Sequence, residues 1–230
     1  MGSSIVVLPG EVVPGKDPVG SGGHVVKDGE CISMLAAEHG LRTDDIFDHP
    51  DNAELKAIRR NPNVLLPRDR VAIPKLELKN QPAVTDANHP FVLVGEPVFL
   101  QIQIKDQDKP VTNQPFALTV EGVTTEGATD GSGKIKIQIP PTATAGFLTV
   151  GPPDNLLQMN LKLGTLHPVE SNTGVQQRLQ NLGFDCGKID GIVGPLTRGS
   201  IRAFQKTFGL DEDGILTPEV RDLLRQKHGC

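Results

Sequence analysis

Tryptophan and tyrosine are both absent, and eight phenylalanines carry all the large aromatic surface of a 230-residue chain. Sugar-stacking sites are usually built on Trp and Tyr faces, because a pyranose pairs apolar C–H surface with aromatic area. A glycan site in this chain must use backbone groups, Asn, Asp and aliphatic contact, and each such site is expected to bind weakly. No apolar stretch approaches the length that spans a bilayer, so membrane insertion is not expected. Net charge is −5 with no basic run, which argues against a nucleic-acid partner. The six histidines stand singly, without HxH or HExxH spacing, so neither a metal site nor a cofactor is expected. The start, MGSSIVVLPG, has only the short apolar run Ile5 to Leu8 and no basic residue before it. That lacks the form of a secretory signal, and cytoplasmic synthesis is the expectation.

Glycine and proline, at 25 and 19, suggest many turns and two or three small domains. In the last third the sequence repeats itself. KIDGIVGP returns as DEDGILTP, so that Asp190, Gly191, Ile192 and Pro195 map onto Asp213, Gly214, Ile215 and Pro218. Asp-Gly supplies a turn that tolerates positive φ, Ile is expected to plug the core, and Pro suits a first helical turn. Ile201, Phe204 and Phe208 follow the first copy, and Val220, Leu223 and Leu224 the second, at helical spacing. Val175, Leu179 and Leu182 mark an earlier helix that stops at Gly183. A small three-helix domain over 166–230 is predicted.

The LQ-LG helix end, the DG-(I/F)-G-P-T turn, the AFQ helix and the second DG turn resemble the peptidoglycan-binding-like domain appended to bacterial wall hydrolases. Leu196 departs from that pattern by standing between Pro195 and Thr197. The resemblance implies a peptidoglycan partner. Arg forks hold a carboxylate through parallel hydrogen bonds, and a stem peptide offers free carboxylates. Asp190, Gly191, Gly194, Arg198 and Arg202 are therefore the candidate peptide-facing site, the alternative being that both arginines are a solvated helix face.

Upstream, residues 1–23 read as an extended arm rich in glycine, and 24–79 as a strand, helices and a strand. Ile32, Leu35, Ala36 and His39 should share a helix face, Thr43 should cap a second helix, and a third should run over 53–60. Opened by a V-x-DG turn and closed by LLPRDRVAIP, this stretch resembles a LysM domain of βααβ form. That resemblance implies N-acetylglucosamine binding in a groove with Asp28, Gly29, Glu30, Cys31 and Ile32 on one wall. Asn63, Val64, Leu65 and Leu66 would form the other.

Between the two lies period-two alternation. Val98, Leu100, Ile102 and Ile104 share a face, as do Phe116, Leu118 and Val120, then Ile135, Ile137 and Ile139, then Leu157, Met159, Leu161 and Leu163. With FVLV and GFLTV added, residues 80–165 are expected to form an all-β sandwich. EGATDGSGKIKIQIP resembles the turn of immunoglobulin-like and prealbumin-like spacers, giving a multidomain α+β chain with linkers near 75–88 and 164–172.

No catalytic set emerges. Cys31 opens a helix without a histidine context and reads as a small buried thiol, and the chain is expected not to be an enzyme. Three cysteines leave one odd. A Cys186–Cys230 disulfide would close nearly the whole last domain, worth ~4 kcal/mol in the chain-entropy account; two reduced thiols are the alternative. The order of parts resembles accessory proteins of type VI secretion spikes and related contractile injection machines. This implies delivery to the periplasm or wall by a machine, with peptidoglycan and secretion-spike or effector proteins as partners. The rival is an adaptor between spike and cargo whose wall-type modules have lost glycan binding.

Overall fold

A computed structural model describes residues 15–77, 88, 98–106 and 109–229. The described chain is mixed α/β and divides into two compact units, one over Gly20–Leu166 and one holding the residues from His167 on.

The first unit opens with β1 (His24–Val25) and α1 (Ile32–His39), continues with α2 (Thr43–Phe47) and α3 (Ala53–Arg59), and closes with β2 (Arg70–Val71). Strands β1 and β2 pair antiparallel. Ile32, Leu35, Ala36, Ile46, Leu55 and Val71 fill the space between the helices and this ribbon. His39 leaves the face it was expected to share and is exposed, because it ends the helix just before the αL cap Gly40. Thr43 is the first helical residue and not the cap; the Asp45 carboxylate instead accepts from the Arg42 backbone N–H at 2.9 Å, satisfying an orphan donor of the first turn. Asn52 stitches the layers, donating to Ile46 and Ala72 carbonyls and accepting from the Ala72 N–H at 2.7, 2.8 and 2.8 Å. The end of the expected arm is bound into this region. A Cβ on Gly22 would meet Val71 carbon at 1.9 Å, and Arg70 Nε donates to the Gly22 carbonyl. Residues 1–14 lie outside the described residues.

The β region of the same unit pairs β3 (Val98–Gln103) with β8 (Lys134–Ile139), and β4 (Lys105–Asp106) with β5 (Lys109–Pro110). A four-stranded sheet runs β10 (Leu157–Lys162), β9 (Ala145–Val150), β6 (Pro115–Val120), β7 (Val123–Ala128). Ile135 from the pair and Leu118 and Leu148 from the sheet share one core. Strand β7 is exposed throughout and carries no alternation, so periodicity gave no sign of it. It is positioned by a cross-strand contact: Phe116 lies opposite Gly127, its ring where a Cβ on Gly127 would sit, at 2.8 Å. The expected FVLV strand and most of the expected linker after Lys75 lie outside the described residues.

The second unit is three helices: α4 (Asn172–Asn181), α5 (Pro195–Phe208) and α6 (Pro218–His228). Ser171 caps α4 by accepting from the Gly174 N–H at 3.0 Å, Thr217 caps α6, and Pro195 and Pro218 occupy first turns. Val175, Leu179, Ile201, Phe204, Val220 and Leu224 make the core. Residues 167–171, expected as linker, belong to this unit. Val169 is buried, and the buried Arg178 and Arg221 guanidinium groups donate to the His167 and Val169 carbonyls at 2.6 and 2.5 Å.

Candidate functional site

The duplicated turns are built alike, and a buried glutamine holds each one. Gln176, on α4, accepts from the Asp190 and Gly191 N–H groups at 3.1 and 2.8 Å. Its amide nitrogen faces Asp190 Oδ1, the Ile192 carbonyl and Thr197 Oγ1 at 3.2, 3.1 and 3.2 Å. Gln205, on α5, repeats this at the second turn: it accepts from the Gly214 N–H at 2.8 Å and donates to Asp213 Oδ1 and the Ile215 carbonyl at 2.7 and 3.3 Å. Within each turn the aspartate accepts from the N–H two residues on, Ile192 at 2.9 Å and Ile215 at 2.8 Å. Those backbone N–H groups, with the glutamine amides next, hold both carboxyls below the usual Asp value of 3.8. Gly191 and Gly214 take φ of 77° and 74°, which the reversal requires.

This clamp reverses the expected role of the isoleucines. The turn is fixed by polar bonds from beneath, so Ile192 and Ile215 point outward, 67% and 53% exposed. Ile189 and Leu196 are also exposed, Leu196 at 70%, and Leu196 Cδ1 lies 3.0 Å from where a Cβ on Gly187 would be. The structure therefore places an aliphatic rim of Ile189, Ile192 and Leu196 along the first turn and the start of α5. Of the expected peptide-facing residues, Asp190, Gly191 and Gly194 belong to this turn, but Arg202 does not join them. Its side chain lies over the second turn, where Cγ and Nε come 3.2 Å from a Cβ built on Gly214. Arg198 is exposed, and its carbonyl also abuts Gly214.

In the first unit the two expected groove walls are joined. Ile32 N–H donates to the Pro62 carbonyl at 2.9 Å and Ser33 Oγ to Asn63 Oδ1 at 2.6 Å. Cys31, Ile32, Val64 and Leu65 are buried core residues, while Asp28 and Asn63 are exposed and Leu66 half-buried. Gly29 faces Gly164 and Thr165, with Thr165 Cγ2 3.8 Å from a Gly29 Cβ position. Glu30 accepts from His24 Nε2 and the Lys27 N–H at 2.8 and 2.9 Å; burial pushes its carboxyl up, but these bonds leave it below its ordinary value. Burial raises the Cys31 thiol, the opposite of an activated nucleophile. A cleft of about 500 Å³ lies elsewhere, lined in part by His24, His39, His49, Asp51, Ile73 and Pro74, which sequence spacing could not assemble. Among the described residues no three His, Cys, Asp or Glu form a metal-holding group, and no helix is long and apolar enough to cross a membrane.

Residues 173–224, the span of both clamped turns, match the family described as "Putative peptidoglycan binding domain". The chain carries a peptidoglycan-binding domain. The same stretch is 46% identical over 52 residues to a spore cortex-lytic enzyme of Oceanobacillus iheyensis, covering 23% of this chain and 19% of that protein. It is 44% identical over 46 residues to the N-acetylmuramoyl-L-alanine amidase CwlM of Mycobacterium tuberculosis, covering 20% of this chain and 11% of the amidase. A solved structure of SltB3 from Pseudomonas aeruginosa, in complex with NAG-NAM-pentapeptide, aligns at 44% identity with a TM-score of 0.23, over 24% of this chain and 14% of that one. The chain thus spans about a fifth or less of the length of these curated relatives.

Within the peptidoglycan-binding domain, Cys186 is a free buried thiol, raised by burial and donating to the Gln176 carbonyl at 3.3 Å. Its expected disulfide partner Cys230 lies outside the described residues. His228 titrates at the highest pH of the groups shifted in this domain other than the thiol. Burial, and then the charge of Arg178, lower it from 6.5 to about 4, and the neutral ring meets Asn181 Nδ2 at 3.0 Å. A depressed histidine stabilises the fold fully above its unfolded value and loses that contribution as pH falls through 6.5 towards 4. The melting temperature of the domain should therefore fall between pH 7 and pH 4.5, and fall less in His228→Gln. Equal slopes for the two proteins would remove His228 as the cause. Asp190 and Asp213 act lower, their contribution being lost only below about pH 3.8.

Proposed function

We propose that this chain binds bacterial peptidoglycan through the aliphatic rim of the first clamped turn, and holds the polymer without cutting it. The observation that carries the reading is the exposure of Ile192 and Leu196 on a turn that Gln176 fixes, inside the stretch matched by a peptidoglycan-binding family. Three exposed aliphatic side chains on rigid backbone suit the alanine methyls and lactyl groups of a stem peptide. They suit a sugar face less, in a chain without Trp or Tyr. The part shared with lytic relatives is this binding stretch alone, and the thiol at Cys31 is buried and raised rather than activated. In this reading the chain is an accessory of a contractile secretion machine, which brings it to the wall.

Replacing Ile192 and Leu196 together by Asp tests the rim. Binding to purified sacculi should fall about tenfold or more, the effect of losing two apolar contacts of this size. The melting temperature should stay within about 2 °C, since both side chains are already in water. Retained binding would move the site elsewhere on the domain.

A second reading concerns the region from β1 to β2, whose three α-helices exceed the two of the expected βααβ form, and the burial of Cys31, Ile32, Val64 and Leu65 favours it. With those four in the core and Gly29 against Gly164 and Thr165, the region serves as a scaffold or protein-gripping adaptor for spike and cargo rather than a sugar clamp.

A further inference from the structure

The two turns of the carboxy-terminal domain share one scaffold but differ in what lies on top of them. Above Gly191 is a hydroxyl, Thr173 Oγ1, 3.1 Å from the Cβ position. Above Gly214 is the Arg202 side chain, 3.2 Å from the Cβ position, with the Arg198 carbonyl of α5 at 3.0 Å. Gly214 has φ of 74° and no Cβ, and both features let Arg202 lie down on the turn. Asp213 is the acid nearest in sequence, but its Oδ1 is taken by Gln205 and the Ile215 N–H, and Arg202 is only its weakest influence. Arg202 makes no ion pair among the described residues. The next residue of the turn, Ile215, stands half in water. A guanidinium over Gly214 and an exposed aliphatic side chain at the next residue thus belong to one turn whose backbone a buried glutamine holds.

We infer that the second turn is a separate binding site for a free peptide carboxylate, with Arg202 holding the carboxylate and Ile215 packing the adjoining small side chain. Guanidinium is the group that matches a carboxylate in a two-point fork, and a turn held from beneath does not have to be ordered on binding. The inference rests on the wall-binding reading above, because the free carboxylates of stem peptides are what such a site would meet. It gives the domain two sites of different chemistry, an aliphatic rim at the first turn and a carboxylate fork at the second. A polymer that repeats its peptides could engage both at once.

The test is an NMR titration of the full chain with a soluble disaccharide-pentapeptide, following the amides of Gly191 and Gly214. Its first arm uses the peptide with a free terminal carboxylate and its second the same compound amidated. Both amides should shift with the free acid. Amidation, or Arg202→Gln, should weaken the Gly214 response roughly tenfold, the scale of one charge-assisted hydrogen-bond pair, and leave that of Gly191 in place. Shifts confined to Gly191 would overturn the second site and leave wall binding standing. A Gly214 response indifferent to amidation and to Arg202→Gln would overturn the carboxylate assignment. Silence at both turns would overturn this inference and the wall-binding site together.

Discussion

Gln176→Ala should melt the peptidoglycan-binding domain at temperatures where the unit over Gly20–Leu166 stays folded. The side chain is 1% exposed and gives the first turn two acceptor bonds and a shared donor group. Truncation strands the Asp190 and Gly191 N–H groups beside a new cavity, while the Ile192 carbonyl keeps the Gly194 N–H at 2.9 Å and the Thr197 hydroxyl at 3.4 Å. Each stranded buried group costs about 1–3 kcal/mol, and these two are half-buried, so with the lost packing of the buried side chain the loss should reach about 2–4 kcal/mol. A domain of this size holds only about 5 kcal/mol or so, and such a loss leaves it barely stable. Gln176→Glu should fare little better: a carboxylate accepts from the two N–H groups but cannot donate to Ile192, and it faces Asp190. With no Trp or Tyr, the transition is best followed by helical circular dichroism or calorimetry. Two units make a single two-state fit inappropriate, and the lower transition is the one that should move. A shift under about 3 °C would show that the amide is not what fixes the turn.

The other large effect lies in the first unit. Arg59 Nε and Nη2 donate to both Asp69 carboxylate oxygens at 2.7 Å, and neither side chain has exposed surface. Asp69 Oδ2 also accepts from the Leu66 N–H at 2.8 Å, so the carboxylate ties α3 to the loop before β2. Removing one partner leaves a buried charge uncompensated. Arg59→Met or Asp69→Leu should each cost about 3–5 kcal/mol, whereas the double variant should recover much of that, because the paired charges are themselves costly to desolvate. Recovery measured by denaturant unfolding separates the pair from simple packing loss. Additive single effects would contradict it.

The helices of the carboxy-terminal domain were legible in the sequence because Val175, Leu179, Ile201, Phe204 and Leu224 repeat at helical spacing and are all buried. The duplicated turns were legible from their Asp-Gly pairs. Their orientation was not. An isoleucine after a turn reads as a core plug, and only the polar clamp beneath explains why Ile192 and Ile215 face solvent. The clamp was hidden because a glutamine on a helix ordinarily reads as a solvated position. Its burial depends on backbone groups more than ten residues away in Gln176, and on the loop after α5 in Gln205. Arg178 and Arg59 were hidden for the same reason: a buried charge is recognised by its partners, and spacing does not name them. In the β region, alternation revealed β3, β6 and β8, but β7 has no buried face and is held by the Phe116 ring over Gly127. Arg202 follows the first turn in sequence, but the path of α5 carries it to the second.

Co-sedimentation of the full chain with purified, dye-labelled sacculi tests the central claim most directly, with casein as a control protein. The account predicts that the chain pellets with the sacculi, that Ile192→Asp with Leu196→Asp keeps it in the supernatant, and that dye release stays at the buffer level. A chain that remains soluble beside the sacculi would contradict wall binding, and dye released above the buffer level would contradict the non-lytic role.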